Sequence, residues 1–123
     1  MTNFDYSQVS ELLGSLPIGL WLEGTNVAAT GGATFEVLDP ATEEVIANVA
    51  DGTSADWMRA LELADAAQKE WAGFAPRTRS IILTDIFNAI IERKEDFARV
   101  MTLEMGKPYA EALGEVAYGA EYM

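Results

Sequence analysis

The sequence predicts a mixed α/β piece, a β-hairpin followed by about four α-helices, and three observations carry that expectation. Apolar and polar residues alternate with period two on either side of a turn signal at Asp39 and Pro40. From Asp51 onward the apolar residues recur at helical spacing instead. The run Met101, Thr102, Leu103, Glu104, Met105, Gly106, Lys107, Pro108 ends one helical pattern and lets another begin at about Tyr109. A glycine just past the last periodic residue takes the left-handed cap conformation, and a proline two positions on prevents resumption.

Taken in order, Met1 to Pro17 is polar and weakly patterned, and Val9, Leu12, Leu13 and Leu16 make at most one short amphipathic turn. Residues 1–19 are read as an N-terminal arm. Trp21 to Val27 reads as a short strand bent at Gly24, and Gly31 with Gly32 as a flexible connection. Phe35 and Val37 alternate with Glu36 and Leu38, and Val45, Ala47 and Val49 alternate with Ile46 and Asn48, which makes a hairpin. Two strands alone are marginal, so further elements must cover their apolar face.

The first long helix starts after Asp51 with Thr53 or Ser54 as its cap. Trp57, Leu61, Ala64, Ala67 and Trp71 form its apolar stripe, and the two tryptophans are expected in the core. Gly73 and Pro76 break the run. A second helix from about Arg77 to Arg93 carries Ile82, Leu83, Ile86, Phe87, Ile90 and Ile91 on a broad face that requires burial. A third, from about Glu95 to Met105, turns Phe97, Val100, Met101 and Leu103 inward. The last runs from about Tyr109 to Met123 with no stop signal, so the chain is expected to end in mid-helix, as the front piece of a larger protein. No internal repeat and no domain-splitting linker is visible.

Composition narrows the function. The 123 residues are 50% hydrophobic, which suits one small domain rather than a disordered chain. Eight Lys and Arg against 20 Asp and Glu leave a formal charge of -12, which disfavours nucleic acid and anionic membranes as partners. With no cysteine and no histidine, the chain holds no thiol nucleophile and no imidazole base or ligand. No stretch suits secretion or membrane insertion, so a cytoplasmic location is expected.

Local motifs for chemistry are likewise missing. Met101 and Pro108 stand where a phosphate-cradling loop needs a glycine and a Ser or Thr, so Gly106 and Lys107 are not a P-loop. No Gly-x-Gly-x-x-Gly turn occurs. Lys107 beside a helix C-terminus is read as facing the negative end of the dipole. Glu111 and Glu115, four apart, read as a solvated face rather than as an acid and base pair. No residue is assigned a catalytic, cofactor-binding or metal-ligating role.

The chain nevertheless resembles a known family. Trp21 to Gly24, the turn Phe35, Glu36, Val37, Leu38, Asp39, Pro40, Ala41, Thr42, the helix of Ala60, Ala64, Ala67 and Trp71, Arg79 before Leu83, and above all Leu103 to Pro108 resemble the N-terminal part of an NAD(P)-dependent aldehyde dehydrogenase. The closing run Ala110 to Glu121 is most similar to the succinate-semialdehyde dehydrogenase branch. The likeness covers about Leu20 to Met123. Glu43 departs from it at a turn position where relatives usually have glycine, and Glu23 replaces the first of a glycine pair. A left-handed non-glycine residue costs about 1–2 kcal/mol, so the Glu43 turn is expected to change type or to be slightly strained.

That resemblance implies an aldehyde-dehydrogenase-like α/β fold in which residues 20–123 form the outer part of the cofactor-binding domain, an edge hairpin and helices that cover its sheet. The cysteine nucleophile, carboxylate base, oxyanion-holding asparagine and cofactor contacts of the family lie beyond this region. The parent would oxidise an aldehyde, succinate semialdehyde in the closest branch, by thiolate attack, hydride transfer to NAD or NADP, and thioester hydrolysis. It would be a homo-oligomer acting on a small aldehyde, whereas this chain alone would bind no cofactor and show no activity. A non-catalytic acidic interaction module and a structural subunit of a split enzyme are the competing readings. On the last helix, Ala112, Val116, Ala120 and Met123 make the apolar stripe, while Glu111, Glu115, Tyr118 and Tyr122 share another face. The corresponding helix of the family borders the substrate entrance, which implies entrance roles for Glu115, Tyr118 and Tyr122. The plainer reading of the tyrosines is a half-exposed surface position.

Overall fold

The computed structural model describes residues 6–123; residues 1–5, the start of the expected arm, lie outside the described residues. Two small antiparallel hairpins lie between one short helix and four longer ones. The short helix, α1 (Tyr6–Ser15), exceeds the single turn expected, because Val9 is buried and Leu12, Leu13 and Leu16 are half-buried on one side.

The stretch expected as one bent strand is instead a hairpin of β1 (Leu20–Leu22) and β2 (Thr25–Val27), paired Leu20 to Val27 and Leu22 to Thr25. Its two loop residues, Glu23 and Gly24, have φ of 51° and 74°, the left-handed pair that a tight hairpin of this twist requires. Glu23 is the non-glycine residue of the pair and meets Arg59 at 3.3 Å. The second hairpin joins β3 (Thr34–Leu38) to β4 (Val45–Ala50) in the register that alternation predicts, Phe35 opposite Val49 and Val37 opposite Ala47. Asp39 builds its turn by accepting the Ala41 amide on its carboxylate at 2.7 Å and the Glu43 amide on its carbonyl at 2.8 Å. Glu43 sits at φ 60°, so the strained alternative is the one adopted. The Ala50 amide donates to the Ile18 carbonyl at 2.8 Å and ties the second hairpin to the entry of the first.

Helix α2 (Ser54–Gly73) is capped by Thr53, whose hydroxyl accepts the Asp56 amide while the Asp56 carboxylate accepts the Thr53 amide at 2.8 Å. Pro76 occupies the first turn of α3 (Pro76–Glu92), where its missing N–H costs nothing. Arg93 alone separates α3 from α4 (Lys94–Met105). Gly106 caps α4 at φ 71° and ψ 14°, as its position predicts, and the three-residue link Gly106, Lys107, Pro108 leads into α5 (Tyr109–Ala120). This last helix stops at Ala120 and the next residues turn, which corrects the expectation of an unbroken helix to Met123.

The core lies between α4 and α5. Ala98 and Ala112 are fully buried with Val116, and Ile90, Met101, Tyr109 and Leu113 pack around them. Side chains reduced to a methyl let the two helices approach closely. The expected α5 stripe holds at Ala112, Val116 and Ala120, whereas Met123 is half-exposed. On α4 the inward position belongs to Ala98 and Leu103, and Phe97, expected inside, is 45% exposed. The α2 stripe is bare. Trp57 is 72% and Leu61 63% exposed, so Trp57 is not a core residue, and only Trp71 is half-buried, edge-on to Phe74. The broad face of α3 has no fully buried residue, since these elements supply nothing large enough to cover it.

Candidate functional site

Catalytic groups are scarce by composition, and among the described residues no three His, Cys, Asp or Glu side chains gather as a metal site. Helix N-termini are the usual seats for phosphate. At the start of α2 the Asp56 carboxylate accepts the Thr53 amide at 2.8 Å, which places an anion beside that terminus. That carboxyl lies well below the ordinary carboxylate range, first because the Thr30 hydroxyl donates to it at 2.6 Å, then because the Thr53 amide and hydroxyl do; burial opposes them. One broad cleft of about 560 Å³ lies among Trp71, Arg79, Leu83, Phe87 and Ala120, with Ser80, Thr84 and Glu121 also on its walls.

The outer face of α5 brings chemistry-bearing side chains together. Helical spacing carries Glu111, Glu115 and Tyr118 along it, and Tyr122 follows in the turn beyond Ala120, its amide bonded to the Gly119 carbonyl at 3.3 Å. The two tyrosines meet. Their rings stand edge to face with centroids 5.2 Å apart and planes at 85°, and the Tyr118 and Tyr122 hydroxyls are hydrogen-bonded. That bond, and secondarily burial, raises the Tyr122 phenol above its ordinary pKa. Tyr118 is 65% and Tyr122 70% exposed, so the pair stands out from the helix rather than into the core.

Glu115 turns away from the tyrosines to Lys107, whose Nζ donates to its Oε1. This corrects the reading of Lys107 as a partner of the α4 dipole, and of Glu115 as merely solvated. The lysine side chain is 19% exposed and the carboxylate 49%. The pairing left one trace in the sequence: a cation just before a helix whose first two turns carry only acids. Glu111 remains exposed.

Residues 27–123 match the model of the aldehyde dehydrogenase family. A succinate-semialdehyde dehydrogenase of Paenarthrobacter nicotinovorans is 57% identical over 79 residues, 64% of this chain and 18% of that protein. A glutarate-semialdehyde dehydrogenase of Pseudomonas aeruginosa is 41% identical over 103 residues, 84% of this chain and 21% of that protein. The chain thus spans about a fifth of the length of these curated relatives. Among solved structures, a betaine aldehyde dehydrogenase of Staphylococcus aureus in complex with NAD+ superposes with a TM-score of 0.85 at 30% identity, covering 94% of this chain and 25% of that one. The paired hairpins, the helices that follow and the co-linear sequence thus agree, and the chain belongs to the aldehyde dehydrogenase family.

Proposed function

We propose that this chain is the N-terminal part of an NAD(P)-dependent aldehyde dehydrogenase that oxidises succinate semialdehyde to its carboxylic acid. The observation that carries the reading is the 57% identity to a succinate-semialdehyde dehydrogenase. Residues 1–19 serve as an arm and 20–123 as the outer part of the cofactor-binding domain. They carry structure, not chemistry: NAD or NADP and the reacting groups belong to the rest of the enzyme. The bare apolar stripe of α2 and the exposed Ile81 and Ile86 of α3 support this division, because exposed apolar surface of that kind is otherwise a liability. Glu115, Tyr118 and Tyr122 line the substrate entrance. The enzyme is a cytoplasmic homo-oligomer acting on a small aldehyde, with neither nucleic acid nor membrane as a partner; a charge of -12 and the absence of any membrane-length apolar helix among the described residues are consistent with that.

A glutarate semialdehyde, one methylene longer, is the second reading, favoured by the relative that covers 84% of this chain. One methylene in an apolar pocket is worth about 1–3 kcal/mol, so the two substrates are separable by kinetics. The test is kcat/KM of the full-length enzyme for the two semialdehydes and for neutral aldehydes of the same length, with NAD and with NADP. Preference for succinate semialdehyde is expected. A reading frame that stops after Met123, with no dehydrogenase activity in the product, would favour a non-catalytic acidic module or a split-enzyme subunit instead.

A further inference from the structure

Helix α5 carries Glu111 and Glu115 and no Lys or Arg of its own, and Glu121 follows it, so its surface would be wholly acidic but for Lys107. Lys107 reaches it from the link after α4 and binds Glu115, the acid one turn before Tyr118. An aldehyde that bears a terminal carboxylate carries the charge such a surface repels. We infer that Lys107 is a specificity-determining residue: it neutralises Glu115 and so admits aldehydes with a terminal carboxylate past the Tyr118 and Tyr122 pair. The inference rests on the proposed entrance and names the substrate charge that the entrance accepts. The pair is partly exposed, so it acts on approach and binding rather than on the chemical step, and salt screens it.

The test uses the full-length enzyme with Lys107→Met, Glu115→Gln and the reversed pair K107E/E115K. The readout is the ratio of kcat/KM for succinate semialdehyde to that for butanal, its neutral counterpart of the same carbon number, at low and high ionic strength. A unit charge beside the approach path changes the ratio about two- to five-fold at low salt. Lys107→Met lowers the ratio, Glu115→Gln raises it, and the reversed pair returns it close to wild type. All three differences shrink as salt rises. Should Lys107→Met fail to fold, Glu115→Gln, with its opposite sign, decides. Equal effects on both aldehydes, or a ratio indifferent to salt, overturns the inference. If replacing Tyr118 or Tyr122 alters chain-length selectivity while the charge variants leave the ratio alone, the entrance stands and the role of Lys107 falls. If neither set has any effect, both fall.

Discussion

The Asp56 carboxylate accepts the Thr30 hydroxyl at 2.6 Å and the Thr30 amide at 3.1 Å, across 26 positions of sequence, while it also caps α2 through Thr53. One side chain thus fastens the end of the first hairpin region to the longest helix.

Its titration follows from those donors. The folded carboxyl is depressed below its unfolded value, so its stabilisation is complete above the ordinary carboxylate pKa of about 3.9 and is lost as pH falls toward the folded value. Asp56→Asn should therefore lower hydrogen-exchange protection of the Thr30 amide at neutral pH, and the gap from wild type should narrow on acidification. Thr53→Ala, removing the cap alone, should cost about 0.5–2 kcal/mol. A constant gap down to pH 3 would show that the carboxylate charge is not what holds the loop.

Backbone strain gives two substitutions of opposite sign. Gly106→Ala meets both a left-handed φ of 71° and the Pro40 Cγ at 3.1 Å, and should destabilise by about 1–2 kcal/mol. Glu43→Gly releases the φ of 60° and should stabilise by up to about 1 kcal/mol, after the extra entropy of an unfolded glycine is set against the relief. Thermal midpoints of the full-length enzyme should move in opposite directions.

Replacing Tyr118 or Tyr122 by alanine in the full-length enzyme should change kcat/KM between short and long aldehydes several-fold, within the roughly 1–3 kcal/mol of apolar pocket contacts. Unchanged selectivity with intact stability would assign this face to solvent. An ultraviolet titration should place Tyr122 above its ordinary pKa, and Tyr118→Phe should bring it down. Because the folded pKa is raised, the hydroxyl pair contributes fully below the ordinary tyrosine range and is lost as pH climbs through the raised value.

The purified 123-residue chain should neither oxidise aldehydes nor bind a nicotinamide cofactor, given that it has no cysteine and that the α2 N-terminus is already occupied by Asp56. Its bare tryptophan and leucine on α2 should make it self-associate or bind hydrophobic dyes. Calorimetric binding of NAD or NADP at micromolar affinity would overturn the first expectation; a monomer with a sharp cooperative melt would overturn the second.

Element positions were legible wherever a local rule acts. The Thr53 cap, Pro76 at the start of α3, Gly106 at the end of α4 and the alternation that pairs Phe35 with Val49 are each decided within a few residues of chain. The first hairpin, at Glu23 and Gly24, escaped because a glutamate occupies a left-handed position that usually signals itself by glycine. The end of α5 escaped as well, since no glycine or proline follows Ala120.

Tertiary structure alone decided what each apolar stripe meets. Periodicity gives both α2 and α5 an apolar stripe, yet the alanines of α5 lock against α4 while Trp57 and Leu61 of α2 face outward, because periodicity says that a face is apolar and not what lies across from it. For the same reason the Thr30 partner of Asp56 was invisible in the sequence: that contact closes between segments that only folding brings together. Charge and composition by themselves ruled out thiol and imidazole chemistry in this chain, because a missing residue type is missing in every conformation.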